Sequence, residues 1–195
     1  YNPNTSMYTH LLYAGAKING HIHTGDLIEA SNGKFYGMSK IGGKYDRGVI
    51  FQYDPTTNTY VKLFDFNGTT DGGIPEGSLI QALNGKLYGM TTDGGNYKSG
   101  VIFSFDLSDS SFSALFDFDP AQGARPRGSL IQMPNGKMYG TAYAGSIKPG
   151  VIFEFDPNNN TYTKRHDFEL STGCNPEGSL TVGSNGELYG MTRNG

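Results

Sequence analysis

The chain has 195 residues, a net charge of −3 and only 17% charged side chains. That length is one domain-sized block, long enough to bury about 70% of its unfolded surface. Singly scattered Lys and Arg exclude a nucleic-acid stripe, no apolar run nears the ~20 residues of a spanning helix, and a single cysteine, Cys174, excludes an internal disulfide. Cys174 follows Gly173 and reads as an incidental loop residue. Abundant Gly, Asn, Thr and Tyr with no Trp disfavours helices and favours short strands joined by tight turns.

The first apolar phrase, YTHLLYA from Tyr8, predicts one strand. From Gly25 the phrase GDLIEASNGKFYGM begins, and close copies follow: GSLIQALNGKLYGM from Gly77, GSLIQMPNGKMYGT from Gly128 and GSLTVGSNGELYGM from Gly178. The copies are 52, 51 and 50 residues apart, a spacing that marks a repeat architecture. Each holds two strands around Asn-Gly (Asn32-Gly33, Asn84-Gly85, Asn135-Gly136, Asn185-Gly186), which predicts a two-residue type I′ hairpin with positive φ at both residues. A third strand follows in the first three copies: GVIFQYD from Gly48, GVIFSFD from Gly100 and GVIFEFD from Gly150. Polar turns such as DPTTNT then lead to a closing strand: YVKLFDF from Tyr60, FSALFDF from Phe112 and YTKRHDF from Tyr162.

The second and third strands are apolar on both faces, so each four-stranded sheet must be sandwiched between others. Stacked four-stranded sheets with this period define an all-β fold, a β-propeller with kelch-like blades of about 50 residues. The boundaries expected are a closing strand of a preceding blade at 8–14, blades at 20–70, 72–121 and 123–170, and a partial blade at 173–195. That is about 3.5 blades, an incomplete ring, since propellers run from about four to eight. The missing blades are expected from the same longer chain or from a second copy.

The phrases GSLIQALNGKLYGMTTDGG and GVIFSFD with a closing LFDF resemble the GloVer-type tandem repeat of exported bacterial proteins, over residues 20 to 195. The resemblance implies a propeller and a parent protein carrying a surface-anchoring or secretion-sorting domain, hence an extracellular or cell-surface location. It carries over no catalytic motif. Copy one departs from the pattern with Lys40-Ile41-Gly42-Gly43, copy three is a residue short at Ala144-Gly145-Ser146, and copy four stops early.

The variable segments are the loops before the first strand and between the second and third strands, and variation on a constant frame is how binding faces are built. Candidate ligand-binding residues there are His21, His23, Tyr45, Arg47, Tyr97, Lys98, Arg125, Arg127 and Lys148. The tyrosines suit stacking on sugar rings and the cations suit acidic groups. His21-x-His23 would share one strand face, too few ligands for zinc, so no metal and no cofactor are expected. Asp65, Asp117 and Asp167, at one repeat position, are expected to accept backbone hydrogen bonds and lock their blades. The functional expectation is a non-enzymatic scaffold or binding module for polysaccharide or another surface protein. The alternatives are a propeller lyase or hydrolase using His23, Tyr45 and Arg125, or a pure spacer.

Overall fold

The computed structural model describes residues 4–6, 17–144 and 149–195. The expected closing strand at 8–14 lies outside them. After a single 3-10 turn at Lys17–Asn19, strands β1 (Ile28–Glu29), β2 (Phe35–Ser39), β3 (Val49–Asp54) and β4 (Thr59–Asp65) pair antiparallel in chain order. The same meander recurs as β5 (Ile80–Gln81), β6 (Leu87–Met90), β7 (Val101–Phe105) and β8 (Phe112–Asp117), then as β9 (Ile131–Gln132), β10 (Met138–Ala142), β11 (Val151–Asp156) and β12 (Thr161–Asp167). A fourth unit contributes β13 (Cys174–Pro176) paired with β16 (Thr192–Asn194), and the hairpin β14 (Thr181–Val182) with β15 (Leu188–Tyr189). These are three full propeller blades and the inner hairpin of a fourth, and the ring is not closed.

Burial explains the doubly apolar strands. Every residue of β7 is buried. Phe103 and Phe105 join Leu87 and Val101 in a core that blade 2 shares with Tyr36, Met38 and Ile50 of blade 1. Ile102, Tyr88 and Met90 point the other way, into the core shared with Met138, Val151 and Phe153 of blade 3. Aromatic rings repeat this layering: Phe64 stacks on Phe112 of the next blade at 4.1 Å, and Phe116 on Tyr162 at 4.2 Å. The β3–β4 ladder slips by one residue between Ile50 and Phe51, and its counterparts slip at Ile102/Phe103 and Ile152/Phe153. This bulge leaves Leu63 and Leu115 unpaired and packed on the cores. In blade 3 the same position is Arg165.

Two local expectations are corrected. The Asn-Gly turns are three-residue loops, not two-residue type I′ turns. Gly33 N–H bonds Ala30 O and Ala30 N–H bonds Lys34 O, and only the glycine has positive φ, 74° at Gly33 and 81° at Gly85. This is a type I turn closed by a left-handed glycine bulge. Asn earns its place by its side chain: Asn84 Oδ1 accepts from Lys86 N–H, and Asn84 Nδ2 donates to Tyr88 Oη at 2.9 Å. The second correction concerns the first strand of each blade, read from the sequence as the whole phrase GSLIQ, which pairs over only two residues. Its Gly-Ser half is spent on the neighbouring blade. A Cβ on Gly77 would stand 2.3 Å from Gly128 O, and one on Gly128 would stand 2.6 Å from Gly178 O. Ser78 N–H donates to Ser129 Oγ and Ser129 N–H to Ser179 Oγ. At the other end of the strand Leu83 N–H donates to Gln132 Oε1. The repeated phrase is therefore the seam along which blades meet at the propeller axis.

Two of the repeated aspartates act as expected, and for Asp167 the equivalent loop lies outside the described residues. Asp65 Oδ1 accepts Lys44 N–H at 2.7 Å, and Asp117 Oδ1 accepts Asn96 N–H at 3.0 Å. Asp167 pairs with Lys164. Cys174 is no loop residue: it is buried in β13, at the position that Gly73 and Ala124 fill in earlier blades.

Candidate functional site

The two sets of variable loops meet. Isolated bridges join His21 to Ile41, Gly73 to Asp93 and Ala124 to Ala144, and β13–β16 is the same pairing extended. The residue after each bridge is left-handed: Ile22, Ile74, Arg125 and Asn175 have φ between 55° and 57°. The twist turns its N–H toward the preceding blade, where Ile74 N–H bonds Arg47 O and Arg125 N–H bonds Ser99 O, both at 2.8 Å. It also ends the strand alternation that would place His21 and His23 on one face. His23 Nδ1 instead lies 3.3 Å from Met38 O, with its ring edge-on to Phe51. The described residues contain no group of three or more His, Cys, Asp or Glu able to hold a metal ion.

Charged side chains at the mouth of the axis form an alternating chain across three seams. Lys40 pairs with Glu76 at 2.5 Å, Glu76 lies 3.6 Å from Arg127, Arg127 pairs with Glu177 at 2.5 Å, and Glu177 pairs with Arg193 at 3.0 Å. The Arg127 guanidinium also covers the Tyr143 ring at 3.9 Å. Arg47 crosses to Asp93 at 3.1 Å. These half-exposed pairs contribute up to about 1 kcal/mol each. They consume Arg47 and Arg127, two expected ligand residues, as bonds between blades. Sequence reading missed Lys40, Asp93, Tyr143 and Arg193 as their partners. The alternation of Glu76, Arg127 and Glu177 at one repeat position was the signal that could have found them.

The remaining candidates are presented to solvent. Tyr45 and Tyr97 occupy the same position in successive loops and are 48% and 56% exposed. The Lys44 ammonium sits 4.9 Å over the Tyr45 ring. Lys98, Arg125 and His21 are exposed, and Lys148 lies outside the described residues. His23, Tyr45 and Arg125 each keep different neighbours, and no hydrogen bond links them. A concavity of about 780 Å³ runs along the seam past Ile80, Ile131, Ser78, Ser129, Gln81 and Gln132. Its serines and glutamines already bond across or within the seam, so little polar chemistry is left for a ligand.

One buried carboxylate escaped sequence reading. Glu154, where blades 1 and 2 carry Gln52 and Ser104, accepts from Lys137 at 2.5 Å, Tyr139 at 2.8 Å and Arg165 at 2.6 Å. Burial opposes its charge, but these three donors outweigh burial and hold its pKa down at about 2. A carboxylate so held is no proton donor, and its work is structural. Its folded pKa lies below the unfolded 4.5, so its contribution is full above pH 4.5 and fades as pH falls toward 2. Glu154→Gln, which keeps an acceptor for Tyr139, is expected to cost about 1–2 kcal/mol at neutral pH. It should also flatten stability between pH 4.5 and 2, read from urea midpoints across that range.

Four-stranded meander blades around an axis, with paired loops at its mouth, define a β-propeller module. The chain belongs to the Gloeobacter/Verrucomicrobia repeat family, whose description matches residues 1–195. No curated protein matches it in sequence. Solved structures similar to it include TolB from Acinetobacter baumannii (TM-score 0.58, 17% identity, 89% of this chain and 38% of that one). A nidogen/laminin complex (0.56, 16%, 84% and 53%) and a gluconolactonase from Xanthomonas campestris (0.54, 16%, 85% and 55%) are also similar. At these identities the likeness concerns the fold alone, and the chain spans little more than half of those proteins at most.

Proposed function

We propose that this propeller is a non-enzymatic binding module of an exported bacterial protein, contacting polysaccharide through its loop face. The observation that carries the reading is the pair Tyr45 and Tyr97. Two flat aromatic surfaces stand exposed at one position of adjacent blades, while the cations and carboxylates at the axis mouth neutralise one another. Stacking on sugar rings needs exposed aromatic rings, which Tyr97 offers and which Tyr45 offers beside the Lys44 ammonium, whereas acid–base catalysis needs unspent titratable groups within reach of each other. Resemblance to repeats of exported proteins supports the location.

Affinity electrophoresis against a panel of soluble neutral and acidic polysaccharides tests it. At least one should retard the wild type, and Tyr45→Ala/Tyr97→Ala should weaken that retention about tenfold or more. The melting temperature should not move, because both side chains are exposed. Retention of the double variant equal to wild type, or no retention of either protein, overturns the reading.

A further inference from the structure

The loop between the second and third strands keeps one backbone in blades 1 and 2 but leaves its charges in two different states. It reads Lys44-Tyr45-Asp46-Arg47 in blade 1 and Asn96-Tyr97-Lys98-Ser99 in blade 2. Asp46 and Lys98 are both left-handed, with φ of 57° and 54°, and their N–H groups bond Gly43 O and Gly95 O. In blade 1 each charged side chain has a partner within the chain. Lys44 lies over the Tyr45 ring at 4.9 Å, Asp46 pairs with Lys17 at 2.7 Å, and Arg47 pairs with Asp93 at 3.1 Å.

In blade 2 the cations have none. Lys98 is exposed, and its ammonium forms no ion pair or hydrogen bond among the described residues. Arg125 arrives from the next loop. Its N–H bonds Ser99 O at 2.8 Å, which sets its Cα within about 10 Å of that of Lys98, the chain neighbour of Ser99. Arg125 is likewise exposed, and its guanidinium has no partner among the described residues. The carboxylates of the surrounding loops are engaged elsewhere: Asp93 by Arg47, Asp117 by Asn96 N–H and Nδ2, and Asp119 by Ala121 N–H. Tyr97, next to Lys98, is 56% exposed. The fold calls for neither cation. A left-handed residue is favoured as Asn or Asp, as Asp46 shows, so the turn gains nothing from lysine. At the position of Arg125, Ile74 is half-buried and Asn175 donates its amide to Tyr143 O. Two unpaired cations brought together beside an exposed aromatic ring, in a chain of net charge −3, make a place for an anion attached to a flat apolar body.

We propose that Tyr97, Lys98 and Arg125 form a subsite for the anionic group of an acidic polysaccharide, a carboxylate or sulfate carried on the sugar. The sugar ring stacks on Tyr97, the planar guanidinium of Arg125 meets two oxygens of the anion side by side, and Lys98 adds a point charge. This inference rests on the polysaccharide reading and narrows it to acidic polymers.

Biolayer interferometry of the whole chain on immobilised polymers in matched pairs tests it: polygalacturonate against its methyl ester, and dextran sulfate against dextran. At least one acidic member should bind wild type about tenfold more tightly than its uncharged partner, and the pair that responds tells carboxylate from sulfate. Lys98→Gln/Arg125→Gln should weaken that binding about tenfold, and Tyr97→Ala should weaken it as well. All three side chains are exposed, so the melting temperature should stay where it is. Lys34→Gln/Lys86→Gln removes the same charge from the far ends of β2 and β6, where these lysines pair with Asp54 and Asp106, and should leave binding unchanged. Equal binding to charged and uncharged members overturns this inference and leaves the polysaccharide reading standing. Binding to no polymer overturns both. A loss as large in the Lys34/Lys86 variant makes net charge the cause and overturns the subsite.

Discussion

Gly77→Ala and Gly128→Ala are expected to destabilise the chain by about 2–3 kcal/mol each, while Gly178→Ala leaves folding unchanged. None of the three glycines has a positive φ, so the substitution adds only a methyl group. At Gly77 that methyl would lie 2.3 Å from Gly128 O, and at Gly128 2.6 Å from Gly178 O, against backbone that no rotamer change can move. Separating the strands to admit it breaks the Ser78–Ser129 or Ser129–Ser179 bond beside it. Gly178 has nothing within 4 Å. Chemical denaturation at a concentration where the chain is monomeric measures all three. A Gly77→Ala variant as stable as Gly178→Ala would mean that the seam is not the contact described above.

Phe103→Ala is expected to cost about 3–5 kcal/mol, against less than about 0.5 kcal/mol for Met191→Ala. Phe103 is wholly buried between blades 1 and 2, stacked on Phe112 at 5.2 Å and edge-on to Phe66 at 5.4 Å. Removing the ring opens a cavity bounded by two sheets, and sheets held by their own ladders collapse little to fill it. In a repeat array each unit leans on its neighbours, so the damage should broaden the unfolding transition as blade 1 uncouples from the rest. Met191 fills the repeat position of Met90 but lies on the open end. Urea melts of the two variants read the contrast, and equal costs would refute the placement of the end.

Much of the architecture is legible in the chain itself. GVIFSFD is apolar on both faces, which leaves no arrangement except a sheet between sheets, and the spacing of its copies counts the blades. The equal positions of Asp65 and Asp117 also announced their role, because a carboxylate repeated in separate blades has only local backbone to serve. The Asn-Gly dipeptide located each hairpin but not its type: the dipeptide suits two turns, and the Asn–Tyr side-chain bond favours the longer one. His21 and His23 were misjudged because a left-handed Ile22 between them cannot be read from an isoleucine. Among the candidate ligand residues the tyrosines stayed exposed, Tyr45 with the Lys44 ammonium over its ring. Arg47 and Arg127 are spent in ion pairs that the sequence did not announce, since their partners lie about one repeat away in sequence and only the stacking of blades brings them together.

By itself the sequence determined the four-stranded unit, its copy number and the constancy of its inner hairpin, because periodic burial and turn chemistry are local and are written residue by residue. The tertiary structure decided which polar groups are spent and which remain. That depends on the neighbour each blade meets. A glycine, a serine and a methionine at identical repeat positions are packed in the middle of the array and open at its end, and no property of the residue itself distinguishes the two.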